Sequence, residues 1–317
     1  MTVASPYAVE LSRLPVTTRV VPVLGSDTHV WEYGASGTDA DARRDAETVI
    51  MVIHGYRGDH HGLEPIIAQL GAPGLRMVAP DLPGFGDSDP LRAGHTVDDY
   101  ADWLRALCAT VRAESPTARF VVLGHSFGSI IVSAALAGEG AAAGTAPLEA
   151  DAAILINPIS APALTGPRGV MTRVAIGYYQ LAAAVPEKLG YTLLSLPLMV
   201  RVISITMVKT HDRHLRRWVH DQHDRYFSAF ANRTVVLDAF RASVSHDVSE
   251  YAARITVPTL MVAADKDDIT PMSAQHEVQE AIPDARLVTI HDVGHLIHYE
   301  RPIEAAAAIR SFLAELS

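Results

Sequence analysis

Short apolar runs recur along this chain, each ended by glycine, proline or a polar side chain: residues 48–53, 75–79, 120–123, 152–156, 259–264 and 287–290. Runs of that length, rich in Val, Ile and Leu, are expected as buried strands. Between and after them lie stretches with helical spacing at 63–70, 97–112 and 129–136. Strand alternating with helix predicts a mostly parallel sheet covered by helices on both faces. Ahead of this pattern, residues 16–33 read as two strands around a turn at Gly25-Ser26-Asp27, and the small and charged residues 35–47 as a surface loop.

The rhythm breaks after Asn157-Pro158. Residues from about 159 to 247 show helical periodicity with few strand signals, and the strand pattern resumes at 255–264. This predicts a helical insertion between two strands of the main sheet. The chain is then expected to divide into one core domain, 1–158 with 248–317, and a helical cap, 159–247, lying over the carboxyl ends of the strands. No internal repeat is present, and the Ala- and Gly-rich stretch 138–146 reads as a helix end and loop.

Composition narrows the function. At 317 residues, 49% hydrophobic and 20% charged, the chain can bury a sizeable core. A formal charge of −10 and the lack of a basic arm argue against a nucleic-acid groove. The single cysteine, Cys108, excludes an internal disulfide framework and a Cys-rich zinc site, and its setting in 103–108 suggests a buried helix face. The first ten residues have no basic start followed by an apolar core and a small-residue cleavage site, so no secretory signal is read there. The most apolar later stretch, 193–208, contains Pro197 and Arg201 and is shorter than the roughly 20 residues of a spanning helix. A cytoplasmic monomer or homodimer is expected, with contact of the cap with a membrane surface as the less favoured alternative.

The chemistry gathers where apolar runs end. Gly124-His125-Ser126-Phe127-Gly128 sits between a strand run and a helical stretch, which places a serine at the apex of a sharp strand-to-helix turn. The following helix directs free N–H groups and the positive end of its dipole at that apex. Other runs end at His54-Gly55-Tyr56-Arg57-Gly58, at Asp81, at Asp265-Lys266-Asp267-Asp268 and, a few residues on, at His295. In open parallel sheets, sites lie at the carboxyl ends of strands. A serine hydroxyl needs a base within reach, and the base needs a carboxylate to fix its tautomer. The order here is serine, acid, histidine.

On these residues the sequence resembles the α/β-hydrolase superfamily in its capped form, over roughly residues 45–135 and 255–315. Residues 81–88 (DLPGFGDS) and 294–302 (GHLIHYERP) resemble that family's loops after the fourth and eighth strands. The resemblance implies an α/β-hydrolase fold with the cap inserted after the sixth strand, and Ser126 as nucleophile with His295 as base. The family acid precedes a helix-opening proline by four residues, which selects Asp267 before Pro271; Asp265 is the fallback, and Ala264 stands where the family has glycine. The oxyanion donors implied are the backbone N–H groups of Tyr56 and Phe127. Asp81 falls at a loop-bracing position, and His54, His125, His291 and His298 are expected to make structural hydrogen bonds. No cofactor and no metal are expected.

In the cap, His211-x-x-His214 and His220-x-x-His223 have a spacing that zinc sites use, but a charged helix face with Leu215, Trp218 and Val219 turned inward is the favoured expectation. Substrate contacts are assigned to His54, Tyr178, Tyr179, Leu198 and Met199, lining an acyl or alicyclic pocket. Arg201, Lys209 and Arg213 are available to an acidic substrate group, with solvation their favoured role. The expected activity is hydrolysis of a small or medium carboxylic ester, thioester or lactone through an acyl-enzyme. Alternatives are a C–C bond hydrolase of vinylogous diketones, an amidase or aminopeptidase, a perhydrolase, or a non-catalytic ligand-binding module. Serine at the elbow argues against haloalkane dehalogenases and epoxide hydrolases, whose members carry aspartate there.

Overall fold

Eight strands form one sheet in the order β1-β2-β4-β3-β5-β6-β7-β8 in a computed structural model that describes residues 3–34, 43–162 and 169–316. They are β1 Val16–Val23, β2 Ser26–Tyr33, β3 Thr48–Ile53, β4 Leu75–Pro80, β5 Arg119–His125, β6 Ala152–Ile156, β7 Thr259–Ala264 and β8 Ala285–Ile290. β1 and β2 join antiparallel, and every pairing from β4 to β8 is parallel. The apolar runs explain this: β4, β6 and β7 are buried along their whole length, as strands covered on both faces must be. The expected turn at Gly25-Ser26-Asp27 lies one residue earlier. Leu24 and Gly25, at φ 47° and 82°, make a two-residue hairpin turn, while Ser26 and Asp27 pair with Val23 and Pro22. Of the surface loop expected at 35–47, residues 35–42 lie outside the described residues.

Helices cover both faces. On one, α1 Glu64–Leu70 contributes Ile66, Ile67 and Leu70, which share a core cluster with Ile50 and Val52 of β3. On the other, α2 Val97–Glu114 and α3 Phe127–Leu136 pack Trp103, Leu107 and Ile130 beside Met51 and Ile53. Every residue of α3 is buried, so the helix that starts at Phe127 is a core element rather than a surface one. Cys108 on α2 is buried, and burial pushes its thiol pKa up.

Between β6 and β7 the chain forms α4 Gly169–Ala184, α5 Glu187–Leu194, α6 Pro197–Met207, α7 Arg213–Tyr226 and α8 Arg233–Ser245. The loop after β4 is stitched to this insertion by backbone bonds from Ala231 N–H to Gly84 O and from Gly86 N–H to Ala229 O, both 2.9 Å. The core resumes with β7, α9 Met272–Ala281, β8, α10 Ile297–Glu300 and α11 Pro302–Glu315. On α11, Ile309 and Phe312 join the cluster beneath α1.

Candidate active site

Ser126 sits where β5 hands over to α3, at φ 53° and ψ −120°, a conformation non-glycine residues rarely hold. Its neighbours make the turn sterically possible. A Cβ on Gly124 would lie 2.4 Å from Gly128 O, and one on Gly128 would lie 2.4 Å from Ile53 O. Strand, turn and helix therefore close on one another only with glycine at both places. The turn is pinned by Ser126 N–H to Ile156 O at 3.1 Å.

His295, after β8, brings Nε2 to 2.7 Å from Ser126 Oγ and Nδ1 to 2.8 Å from Asp267 Oδ2. A carboxylate on Nδ1 assigns the proton there, which leaves the Nε2 lone pair facing the serine hydroxyl. Asp267 is buried, and its second oxygen accepts from Ile269 N–H at 2.8 Å. The other two aspartates of this loop face elsewhere: Asp265 meets His291 at 3.1 Å, and Asp268 meets Lys209 at 2.5 Å. Asn157 was not singled out from the sequence. Its amide donates to His295 O at 2.7 Å and its Oδ1 accepts from Ala264 N–H at 3.1 Å, so one side chain braces the loops after both β7 and β8. A polar residue at the end of an apolar strand was the available signal.

Gly55-Tyr56-Arg57-Gly58 forms a turn closed by Gly58 N–H to Gly55 O at 3.1 Å, with Arg57 at φ 58°. It lies against the serine: a Cβ on Gly55 would be 3.1 Å from Ser126 Cβ. Among the described residues the N–H groups of Tyr56 and Phe127 make no backbone hydrogen bond, and the second belongs to the first turn of α3, where none is available within the helix. Tyr56 and Arg57 also reach into the inserted helices. Tyr56 donates its hydroxyl to Val236 O at 2.9 Å. Arg57, 1% exposed, donates to Leu194 O at 2.7 Å, Phe227 O at 3.0 Å and Tyr179 Oη at 3.2 Å, with its guanidinium over the Phe227 ring.

A cavity of about 310 Å³ opens beside Ser126, with Tyr179, Ile203, Met207, Phe227 and Phe240 among its walls. The residues expected to contact substrate are placed unevenly about this cavity. Tyr179 lines the cavity, stacked on Phe240 with centroids 3.8 Å apart. Tyr178 is not among the described lining residues and donates its hydroxyl to Leu193 O. Leu198 is 71% exposed and neither it nor Met199 is among the described lining residues. α6 is apolar nearly all round, so its sequence does not mark which face turns inward; packing turns Ile203 and Met207 to the cavity and leaves Val202 and Ile205 exposed. His54 lines the cavity without a free ring nitrogen, because Nδ1 meets Gly55 O and Nε2 accepts from Leu82 N–H, both at 2.8 Å.

Buried histidines crowd this region in neutral form. Burial, then the neighbouring His295, draws the His125 pKa down to about 3. Burial, then His220, does the same to His223, also to about 3, and His298 is held well below its ordinary value by burial and by His125. The second His-x-x-His pair converges on a hydroxyl: His220 Nδ1 and His223 Nδ1 lie 2.6 and 2.7 Å from Ser204 Oγ. His211 and His214 are exposed. Arg201 pairs with Asp224, and Arg213 is exposed. Asp81 accepts from His60 N–H and from Asp87 N–H, both at 2.9 Å, which braces two loops.

Residues 44–302 match the family model described as serine aminopeptidase, S33. The chain is 27% identical over 276 residues to the AB hydrolase superfamily protein YisY of Bacillus subtilis, covering 83% of this chain and 90% of that one. It is 26% identical over 272 residues to Lipase 3 of a Moraxella species, covering 83% and 76%. Among solved structures, the esterase EaEST of Exiguobacterium antarcticum matches with a TM-score of 0.69 at 18% identity, over 94% of this chain and 100% of that one, a likeness of fold.

Proposed function

Since the chain belongs to the serine aminopeptidase S33 family of α/β hydrolases, we propose that it is a serine hydrolase cleaving a small or medium carboxylic ester, thioester or lactone. The observation that carries this is the hydrogen-bonded line from Ser126 Oγ through His295 to Asp267. His295 Nε2 takes the hydroxyl proton as Ser126 Oγ attacks the carbonyl carbon, and Asp267 holds the imidazolium that forms. The N–H groups of Tyr56 and Phe127 receive the oxyanion, a donor pair of which each member is worth on the order of 10²–10³ in rate. His295 then passes the proton to the leaving group. A water that gives its proton to His295 attacks the acyl-enzyme, and the acid departs from Ser126.

The cavity supports the size of the substrate: its volume lies at the lower end of the range for ligand sites, roughly 300–1,000 Å³. The lipase relative supports an ester over an amide. The test is turnover of p-nitrophenyl acetate, butyrate and octanoate by the protein and by Ser126→Ala. The substitution is expected to lower kcat on the order of 10⁴-fold or more. Equal turnover by both proteins, or none by either, removes the serine esterase.

A further inference from the structure

The wall around Ser126 carries a carboxylate that none of the steps above uses. Asp59 lines the cavity and is 3% exposed. Its Oδ1 accepts from His61 N–H at 3.0 Å and lies 3.3 Å from His61 Nδ1. Its Oδ2 has no hydrogen-bond or ion-pair partner among the described residues, and yet it is not sealed in protein. The described lining residues include no lysine or arginine. His125, next to Ser126 in the chain, and His298, packed on the His125 ring, are neutral, and both ring nitrogens of His54 are taken by backbone. Of the flanking histidines, His61 stands at Asp59 Oδ1 and leaves Oδ2 unpartnered among the described residues, and His60 is engaged elsewhere. His60 Nδ1 is on Asp81 at 2.9 Å, and its ring is stacked on Trp31 with centroids 3.5 Å apart.

A carboxylate oxygen facing an apolar cavity is poorly solvated, and a bound group that donates to it recovers that loss. We propose that Asp59 is a substrate-recognition residue and that the substrate bears a hydrogen-bond donor, above all an ammonium group, which seats on Asp59 Oδ2. This rests on the reading of the cavity as the hydrolase site. Substrates carrying a carboxylate are correspondingly disfavoured there by like charge.

The test uses three small ligands of one shape: benzylamine, benzyl alcohol and benzoate. Binding is followed by calorimetry on Ser126→Ala, which removes turnover from the measurement. Benzylamine is expected to bind at least about tenfold more tightly than benzyl alcohol, with benzoate the weakest. Adding Asp59→Asn, which keeps an oxygen for His61 N–H and removes the charge, is expected to abolish that preference while leaving benzyl alcohol within about twofold. Equal binding of the three, or a preference that survives Asp59→Asn, overturns the proposal. The ligand series on the unsubstituted Asp59 decides the matter even if the asparagine variant does not fold. Inactivity of the protein on every p-nitrophenyl ester with the amine preference intact would instead remove the hydrolase reading and leave an amine-binding site.

Discussion

Arg57 Nη2 donates to the Leu194 carbonyl at 2.7 Å, and this bond ties the turn after β3 to the helices inserted between β6 and β7. The same guanidinium holds Phe227 O and Tyr179 Oη, and no carboxylate neutralises it among the described residues. A buried cation satisfied by neutral acceptors is a rigid fixture, because each acceptor lost leaves an unsatisfied polar group. Arg57→Met is therefore expected to lower stability by about 2–4 kcal/mol, read from urea unfolding. Arg57→Lys recovers little of it, since an ammonium cannot span the same fork. Full stability in the methionine variant would show that the tie is dispensable.

The three neighbouring aspartates should separate cleanly in kinetics. Asp267→Asn removes the carboxylate from His295 Nδ1 and is expected to lower kcat on the order of 10³–10⁴-fold. Among the described residues the Asp265 side chain pairs with exposed His291, so Asp265→Asn should leave kcat within about twofold. The reverse order of effects would move the acid to Asp265.

Acid should unfold this protein through its histidines. His125 and His223 have folded pKa values of about 3 against 6.5 for an ordinary histidine, and His54 and His298 are also lowered by burial. Between those values the unfolded chain binds more protons, so stability is complete above 6.5 and falls as pH drops toward 3. Each such histidine contributes at most about 1.4 kcal/mol per pH unit. His61 works the other way: burial lowers its pKa, but the carboxylates of Asp59, Glu64 and Asp81 around it together raise it. Urea midpoints at pH 7.5, 5.5 and 4.5 should fall steeply, and His223→Gln should flatten the slope. A flat profile for the unsubstituted protein would contradict the buried neutral histidines.

Cavity volume should set the acyl-chain preference. Ile203→Trp fills space beside Ser126 and is expected to shift the preferred p-nitrophenyl ester from butyrate or octanoate toward acetate. Leu198→Ser, on the exposed side of the same helix, should leave the preference unchanged. A shift from the Leu198 variant would place the substrate on the outer face of α6.

Much of the core was legible because its signals are local. The apolar runs of β3 to β8 end within two residues of where the strands end, and the glycines around Ser126 mark a turn whose crowding acts within a few residues. The loop carrying three aspartates was resolved to Asp267 by family resemblance, and His295 Nδ1 faces that residue. The inserted helices were legible as helices and much less so as a pocket. Tyr179 was named and lines the cavity, whereas Leu198 was named for its hydrophobicity and lies in solvent, and Ile203, from the same helix, lines the cavity.

The sequence by itself determined the alternation of strand and helix, the serine at a strained turn, and the order in which serine, acid and histidine occur along the chain. Those depend on residue type and on neighbours a few positions away. Tertiary structure alone decided that Asn157 braces the loops after two strands, that Arg57 reaches across to Leu194, and that Asp59 lines the cavity with one oxygen unpartnered among the described residues. Each of these depends on contacts between segments far apart in the chain, or on which face of an apolar helix packing turns inward, and neither leaves a periodicity to read.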